Sequence, residues 1–552
     1  VIPPGPPTEP ILDVDDIQGN ILVGFNKDHQ LLLMLGIVSV PAAKCWLAAI
    51  QNHIATTAEV LGFNQLRKAV KARRNQGPSG LAATWVNIAF SHAALIRLTT
   101  AAETNGFSDA FRVGLAGRAG LIFDPVNPAE PGHPSHWEFG GTPETTPDVL
   151  LIFAGDDPAM LQDVVQRWRA ELAGFADDAG QPALREILAA QQGDTLGGAL
   201  NGHEHFGFKD GISQPGIRGR ASADADDFLS PRSLDPTDSR AIRFGKPGQP
   251  LVWPGQFVLG LARQDDQSPI GSLPPLDLDP PWAANGSYLV LRKLQQNVPA
   301  FWASMRVIAQ QFPRHPPPGG VVPLAAHLVG RWPSGTPVMR SFQQDAPAVA
   351  EDELLSNDFG FREATPALRL APGIKPPARF PPAGGDPDGL VCPLAAHIRK
   401  VNPRDDPTEQ SGSTDTLTRL ILRRGIPYGP PLPDPQTSPD DGTPRGLLFI
   451  SYQASIEAQF EFLMSNWVNQ IDRPRTAGGR DAILGRHSIA PPTTVIVPGS
   501  DGALAPIPLS QDWIVPVGGG YFFAPSISAI RDRLARQDPP PQLSPGEESL
   551  RG

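Results

Sequence analysis

His397 is followed closely by Arg399 and Arg404 in the run CPLAAHIRKVNPR, from Cys392 to Arg404. A neutral imidazole can ligate iron, and guanidinium forks suit carboxylates. One histidine with two arginines behind it is therefore a donor set that an iron porphyrin carrying two propionates could use. Asp210 lies in HFGFKDGISQPGI (205–217), flanked by Gly207 and Gly211, which permit a tight turn that brings a carboxylate near a flat ligand. Such a carboxylate can take a proton from one peroxide oxygen and return it to the other. Peroxide cleavage also needs a fixed cation for the charge that builds on the leaving oxygen. TLTRLILRRGIPYGP (416–430) offers Arg423 and Arg424 for that task. Along a strand the two face opposite ways, so only one of them can reach the site, which leaves Arg424 as a solvated or salt-bridged neighbour.

Each of these residues also has a plainer reading. A bare GxxDG is an ordinary Asp-Gly turn, and a lone histidine is ordinarily a satisfied core residue. The peptide PLAAH occurs twice, ending at His327 and at His397. Only Arg331 follows His327 at comparable distance, so His397 is the better candidate ligand. His203 and His205 form an HEH triplet without a matching cluster of donors, which reads as solvated or structural. Cys392 could supply a thiolate to haem iron, but before a proline in an apolar stretch it reads as a small buried hydrophobe.

Elements able to position these groups recur along the chain as an apolar strand-like run, a polar punctuation and an amphipathic helix. The unit appears at 84–98, 148–172, 287–312 and 446–469. Two units lie on each side of a polar, proline-bearing segment at 221–249, which places a domain boundary near residue 235: an N-terminal domain over 1–235 and a C-terminal one over 236–552. The pattern fits a parallel α/β sheet or two α+β sandwiches equally well. With 552 residues, 40% of them hydrophobic and 19% charged, the chain can bury a large core. A net charge of −11 argues against nucleic acid as a partner. No run approaches the roughly 18 apolar residues of a membrane span. The N-terminal VIPPGPPTEP lacks the layout of a signal peptide, so an extracellular location is expected if a leader has been removed and a cytoplasmic one otherwise. Two cysteines allow at most one disulfide. Proline (64) and glycine (55) concentrate in connections such as 272–282, 314–323 and 372–387, read as long loops around a folded core.

HFGFKDGISQPGI and CPLAAHIRKVNPR together resemble the haem site of the dye-decolourising peroxidases, and the likeness extends from DIQGNILVGF (16–25) to GGGYFFAPSISAI (518–530). It is nearest to the long, fungal-like branch. The resemblance implies an α+β fold of two ferredoxin-like domains with haem b between them. It implies hydrogen peroxide as oxidant and one-electron oxidation of bulky aromatics, anthraquinone dyes or phenolics, through a high-valent iron-oxo intermediate. By motif, His397 becomes the axial ligand of the haem iron, Asp210 the distal acid/base and Arg423 the distal cation. Arg399 and Arg404 become the propionate partners. An ordinary aspartate titrates near pKa ~3.9, which makes the family's preference for acid conditions reasonable. GLLFISYQ (446–453) resembles the distal wall, with Leu447 and Phe449 facing the peroxide. Asp481 in GGRDAILG resembles the carboxylate that accepts the other imidazole N–H, although a capping aspartate before Ala482 fits that sequence as well. Bulky dyes do not fit a pocket walled by Leu and Phe, and Trp467 and Tyr428 occupy the places of surface aromatics that act as electron relays in the family. Ile456, Phe460, Leu463 and Trp467 also recur at helical spacing on one apolar face, the pattern of core packing.

Other readings stand beside this one. A haem-handling protein of the same superfamily would keep His397 without needing a competent Asp210 and Arg423. A haem-free binding module would show no Soret absorbance at all. The terminal Ser549-Leu550-Arg551-Gly552 resembles the tails that load some peroxidases into encapsulin shells, but it lacks the apolar residues that precede them and reads as a solvated tail.

Overall fold

Each recurring unit folds as a strand that ends just before a helix-capping side chain. Thr84–Phe90 leads to His92–Leu98, Val149–Gly155 to Pro158–Leu172, and Ser287–Gln296 to Val298–Gln311. Ser91, Asp157 and Asn297 accept the backbone N–H groups of Ala94, Met160 and Ala300, satisfying donors that have no partner within the helix. Gly446–Gln453 leads likewise to Ser455, which caps a helical stretch with wide turns over Ile456–Glu461 and Leu463–Val468. This computed structural model describes residues 7–74, 81–316, 319–377, 380–410, 412–499 and 503–537. The tail at Ser549–Gly552 lies outside the described residues.

Two strands outside those units complete the frame, His29–Ile37 and Ile514–Ala524. The main sheet runs Leu422–Arg423, Gly446–Gln453, Ser287–Gln296, Ile514–Ala524, Thr84–Phe90, Val149–Gly155, His29–Ile37 and Leu184–Glu186. Ile426–Tyr428 also pairs with Gly446–Gln453, and Gln191–Asp194 with His29–Ile37. Every ladder in it is antiparallel. That excludes the parallel α/β sheet and gives the α+β fold. The N-terminal and C-terminal strands join through the pair Phe90 and Phe523. The sheet curls until its margins meet, so that a Cβ at Gly193 would stand 2.3 Å from Ile426 Cγ2.

Alternation along the strands divides the apolar residues between two cores. Leu31, Leu33, Ile88, Leu151, Phe153, Tyr288, Tyr521 and Phe523 pack beneath the outer helices. Leu32, Met34, Leu150, Ile152, Leu289, Leu448, Ile450 and Phe522 fill the inside of the curl together with Ile17, Ile21 and Phe25. A third cluster joins Val298–Gln311 and Val321–Val329 to Cys392, Ala395, Ala482 and the hairpin of Thr493–Pro498 with Leu504–Leu509. Between that layer and the C-terminal strands lies the principal cavity. Among the described residues no helix is long and apolar enough to cross a membrane.

Candidate active site

The cavity, of about 360 Å³, is lined by groups from distant parts of the chain, including Asp210, His397, Arg423, Leu447 and Phe449. His397 opens the short helix His397–Val401. Its Nδ1 lies 2.8 Å from Asp481 Oδ2. Asp481 is fully buried, and its Oδ1 accepts the N–H groups of Ile483 (2.9 Å) and Leu484 (2.8 Å). One carboxylate oxygen fixes a turn and the other holds the imidazole; the helix that a capping aspartate would begin at Ala482 is not formed, residues 482–484 being a turn. With an ionised acceptor at Nδ1, the proton belongs on that nitrogen and the Nε2 lone pair is left for the cavity. Burial pushes the His397 pKa down, but Asp481 more than offsets it and leaves the ring above its ordinary value.

Opposite His397, Gly207 (φ +94°) and Gly211 (φ +75°) both adopt left-handed backbone, which gives the turn that presents Asp210. Asp210 Oδ1 accepts Arg423 Nη1 at 3.0 Å and the Gly211 N–H at 2.6 Å. Burial pushes its carboxyl up, yet the Arg423 guanidinium and the Gly211 N–H together hold it below the usual carboxylate value. Arg423 also donates from Nη2 to the Ser213 carbonyl (2.9 Å), and its backbone exchanges hydrogen bonds with the Gln214 amide. Leu447 and Phe449 line the same wall. Glu204, the centre of the HEH triplet, lines the cavity as well and was missed while its flanking histidines drew attention. It accepts the N–H groups of Phe206 and Phe208 (both 2.9 Å), and burial raises its pKa to about 7.

The arginines divide differently from the sequence expectation. Arg404 lines the cavity and donates to the carbonyls of Asn357 (3.0 Å) and Phe359 (2.8 Å) and to Ser213 Oγ (3.3 Å). Arg331 lines it too, donating to the carbonyls of Gly335 and Ser356, both at 2.8 Å. Burial lowers Arg404 to about 10 and Arg331 to about 9. Arg331 is buried and Arg404 half-buried, and among the described residues neither guanidinium has a carboxylate among its hydrogen-bond partners. Arg399 does not line the cavity and is withdrawn as a propionate partner. Its guanidinium is engaged by Asp386 (3.0 Å) and Asp406 (2.7 Å), and it lies over the Phe361 ring. Arg424 does not line the cavity, and among the described residues it has no carboxylate partner; its Nη1 donates to the Arg423 carbonyl at 3.1 Å. It donates to the carbonyls of Asn20, Ile21 and Leu22, closing the end of the helix Gly19–Leu22.

Trp467 is fully buried, with Nε1 3.2 Å from both carboxylate oxygens of Glu409. Ile456, Phe460 and Leu463 are buried with it, so the apolar face packs as core. Tyr428 is buried too, under the Lys293 ammonium at 4.7 Å from its ring centre. Neither is a surface aromatic. His327 is also buried, its Nδ1 2.8 Å from the Pro323 carbonyl, and desolvation lowers it to about 4. His205 meets the Tyr428 carbonyl at 2.8 Å and His203 the Asn201 carbonyl at 2.9 Å. Among the described residues no group of three or more His, Cys, Asp or Glu is arranged to hold a metal ion. Cys392 is buried, and desolvation pushes its thiol up to about 12, which disfavours a thiolate ligand.

The geometry agrees with what the chain is similar to. Residues 16–176 match the family model described as the DyP dimeric alpha+beta barrel domain, and residues 369–480 match that of the Dyp-type peroxidase C-terminal domain. Dye-decolorizing peroxidase msp1 of Mycetinis scorodonius is 31% identical over 537 residues, spanning 95% of this chain and 88% of that protein. A solved ancestral D-type dye decolorizing peroxidase superposes with a TM-score of 0.72 at 31% identity, covering 95% of this chain and all of its own. A dye-decolorizing peroxidase in complex with 2,6-dimethoxyphenol superposes with a TM-score of 0.68 at 26% identity, with 95% of this chain and all of that one covered.

The reassignment of Arg399 is directly testable. Arg399→Met would leave Asp386 and Asp406 as buried carboxylates short of a partner, a loss of about 3–5 kcal/mol. Urea unfolding of haem-free protein should register that loss. An unchanged unfolding midpoint together with weakened haem binding would return Arg399 to the propionates.

Proposed function

The chain belongs to the dye-decolourising peroxidase family and is a peroxidase, and on that premise we propose that it holds one haem b between His397 and Asp210 and uses hydrogen peroxide to oxidise bulky aromatic donors in one-electron steps. The observation that carries this reading is the pairing, across one cavity, of an imidazole oriented by a buried carboxylate with a carboxylate held ionised by a guanidinium. Haem, when bound, would supply a redox-active iron that reacts with peroxide.

The remaining work falls to this chain's own side chains. His397 Nε2 would hold the iron, and Asp481 at Nδ1 fixes its tautomer and would make the ring a stronger donor. Arg404 and Arg331 would meet the propionates, since both line the cavity and, among the described residues, neither has a carboxylate partner. Ionised Asp210 can accept the proton of the inner peroxide oxygen and deliver it to the outer one, so that water leaves. Arg423 has two tasks. It keeps Asp210 ionised, and it stabilises charge on the departing oxygen. Leu447 and Phe449 line the cavity and would narrow the approach of peroxide. The bound 2,6-dimethoxyphenol of the related structure supports phenols as one class of donor.

The test of the whole reading is the absorption spectrum of haem-loaded protein before and after stoichiometric peroxide. A Soret band that changes and then recovers on adding an anthraquinone dye is the expected result. A band inert to peroxide would overturn peroxidation in favour of haem handling. His397→Ala should lose the band or its normal form, whereas His327→Ala should keep both.

Arg423→Leu should slow the peroxide step by roughly 10²–10³. It should also raise the pH at which that step fails on the acid side. With Arg423 present, the Asp210 pKa lies below the ordinary carboxylate value and the ionised base survives into acid solution; without it, burial is less opposed and Asp210 takes up its proton at higher pH. Arg424→Leu should leave the acid limb in place. Stopped-flow rates against pH would distinguish the two, and equal effects would mean that Arg423 is not the distal cation.

A further inference from the structure

Asp124, Glu204, Asp210 and Asp512 are the carboxylates that line the cavity among the described residues. Three of them meet an arginine: Asp124 lies 2.9 Å from Arg292, Asp210 3.0 Å from Arg423 and Asp512 2.9 Å from Arg486. Glu204 has no cation partner among the described residues. Its oxygens take neutral donors instead, the N–H groups of Phe206 and Phe208 and, at 2.5 Å, Gln296 Nε2. The loop is wound around this carboxylate, since the Glu204 N–H donates to the Phe208 carbonyl (3.0 Å) and its own carbonyl accepts the Gly207 N–H (2.9 Å). Phe206 packs on Phe301 with ring centres 4.5 Å apart, and Phe208 stacks on Trp302 at 6.2 Å, which anchors the two backbone donors.

We propose that Glu204 is the proton-supplying group of the cavity, an acid that works beside the base Asp210 and gives the second oxygen atom of peroxide the protons with which it leaves as water. The inference rests on the peroxidase reading above.

A carboxylate without a cation keeps its proton more readily than one beside a guanidinium. Burial pushes Glu204 up, its N–H donors oppose that, and the Asp210 charge adds to the rise, leaving it at about 7, whereas Arg423 holds Asp210 low. Two carboxyl groups on one loop are thereby separated, one an acid and the other a base at the same pH. The charges on the elements packed against Glu204 are committed elsewhere. On the strand Ser287–Gln296, Arg292 pairs with Asp124 and Lys293 with Glu138; Arg445, whose carbonyl takes the Gln296 N–H, pairs with Asp441. Arg306, on the helix behind the two phenylalanines, donates to the Gln436 carbonyl. On the loop itself His203 meets the Asn201 carbonyl, burial lowers His205 to about 4, and Lys209 makes no ion pair with Glu204; Arg423 and His397 stand on other walls of the cavity. Gln296 Oε1 is buried and has no partner among the described residues. Turning that amide over offers Oε1 to a protonated Glu204, and Nε2 returns when the proton has gone.

The first water takes both protons of the peroxide, one of them moved by Asp210. The second oxygen atom needs two electrons and two protons. Each phenol gives one electron, releases its own proton to solvent and leaves as a phenoxyl radical; with each electron Glu204 gives one proton and then takes another from solvent. Two donors thus balance one peroxide and yield two waters. The hydrogen-bond partners of Glu204 and Asp210 do not overlap, so the proton leaves Glu204 through cavity water.

The test uses full-length, haem-loaded protein. Stopped-flow absorbance separates the change of the Soret band with peroxide from its recovery on adding 2,6-dimethoxyphenol, each followed against pH; a phenol hydroxyl titrates at about 10, clear of the range that matters. In wild type the recovery should slow as pH rises through about 7, where Glu204 loses its proton, and the peroxide step should not. Glu204→Gln should slow the recovery by roughly 10² below neutrality and abolish its neutral limb, while the peroxide step keeps its rate. Gln296→Leu removes a donor from the carboxylate, which raises the Glu204 pKa, and should move the limb to higher pH. Infrared difference spectra of the resting protein should show a protonated-carboxyl signal that titrates near neutrality and is missing from Glu204→Gln. A limb that persists in Glu204→Gln, or no such carboxyl signal in wild type, would overturn the proposal. Should Glu204→Gln slow the peroxide step as well, its loop has shifted and Gln296→Leu decides, an unmoved limb there overturning the assignment. Wild-type protein whose Soret band ignores peroxide would instead bring down the peroxidase reading.

Discussion

The contact between Arg423 and Asp210 is the interaction on which the rest of the cavity depends. Arg423 sits on a two-residue strand at the margin of the sheet, registered by Leu422 opposite Tyr452 and Arg423 opposite Ser451. From there it reaches a turn that lies 213 residues earlier in the chain. One guanidinium thus sets the charge of Asp210, holds the Ser213 carbonyl and, through its backbone, engages Gln214. Arg404 grips the same turn from the other side at Ser213 Oγ. A mobile aspartate would be a poor proton carrier, because proton transfer demands hydrogen-bond distance at the moment of reaction. Here the carboxylate is fixed by the cation that also keeps it charged.

On the opposite wall the same economy appears in Asp481. A buried carboxylate is costly unless its oxygens are satisfied. Two backbone N–H groups occupy one oxygen, and the other is left with a single task, orienting His397. The imidazole is fixed without a surrounding donor network, and the charge of Asp481 is stabilised by the turn that delivers it.

What the sequence revealed follows what physical chemistry writes locally. Strand followed by a capping residue and an amphipathic helix is a local signal, and Ser91, Asp157, Asn297 and Ser455 mark all four units. The strands His29–Ile37 and Ile514–Ala524 escaped because HQLLLMLGI is buried almost throughout and IVPVGGGYFFA is broken by three glycines, so neither alternates. Antiparallel pairing is a tertiary property that no strand carries alone, and only resemblance chose it. Among the site residues, His397, Asp210 and Arg423 sat in motifs. Arg399 was misjudged by nearness to His397, for sequence distance says nothing of Asp386 and Asp406, which hold it elsewhere. Arg331 was set aside with His327, whose own burial is unrelated to where Arg331 points. No periodicity could have separated Trp467 as core from Trp467 as relay, since one apolar helical face serves either.

The two cavity arginines also tie the ligand to the fold. Arg331 and Arg404 give their hydrogen bonds to carbonyls, Asn357 and Ser213, and desolvation lowers both. Carbonyl dipoles satisfy the donors but do not neutralise the charge, so each guanidinium keeps part of its desolvation cost. An anionic ligand bound only by the folded state offsets that cost and stabilises the fold by mass action. A dianion placed between the two arginines would do this where the third cluster meets the distal turn, joining layers that otherwise touch across a cavity. The charge left unneutralised on Arg331 and Arg404 is what the propionates of the proposed haem would answer.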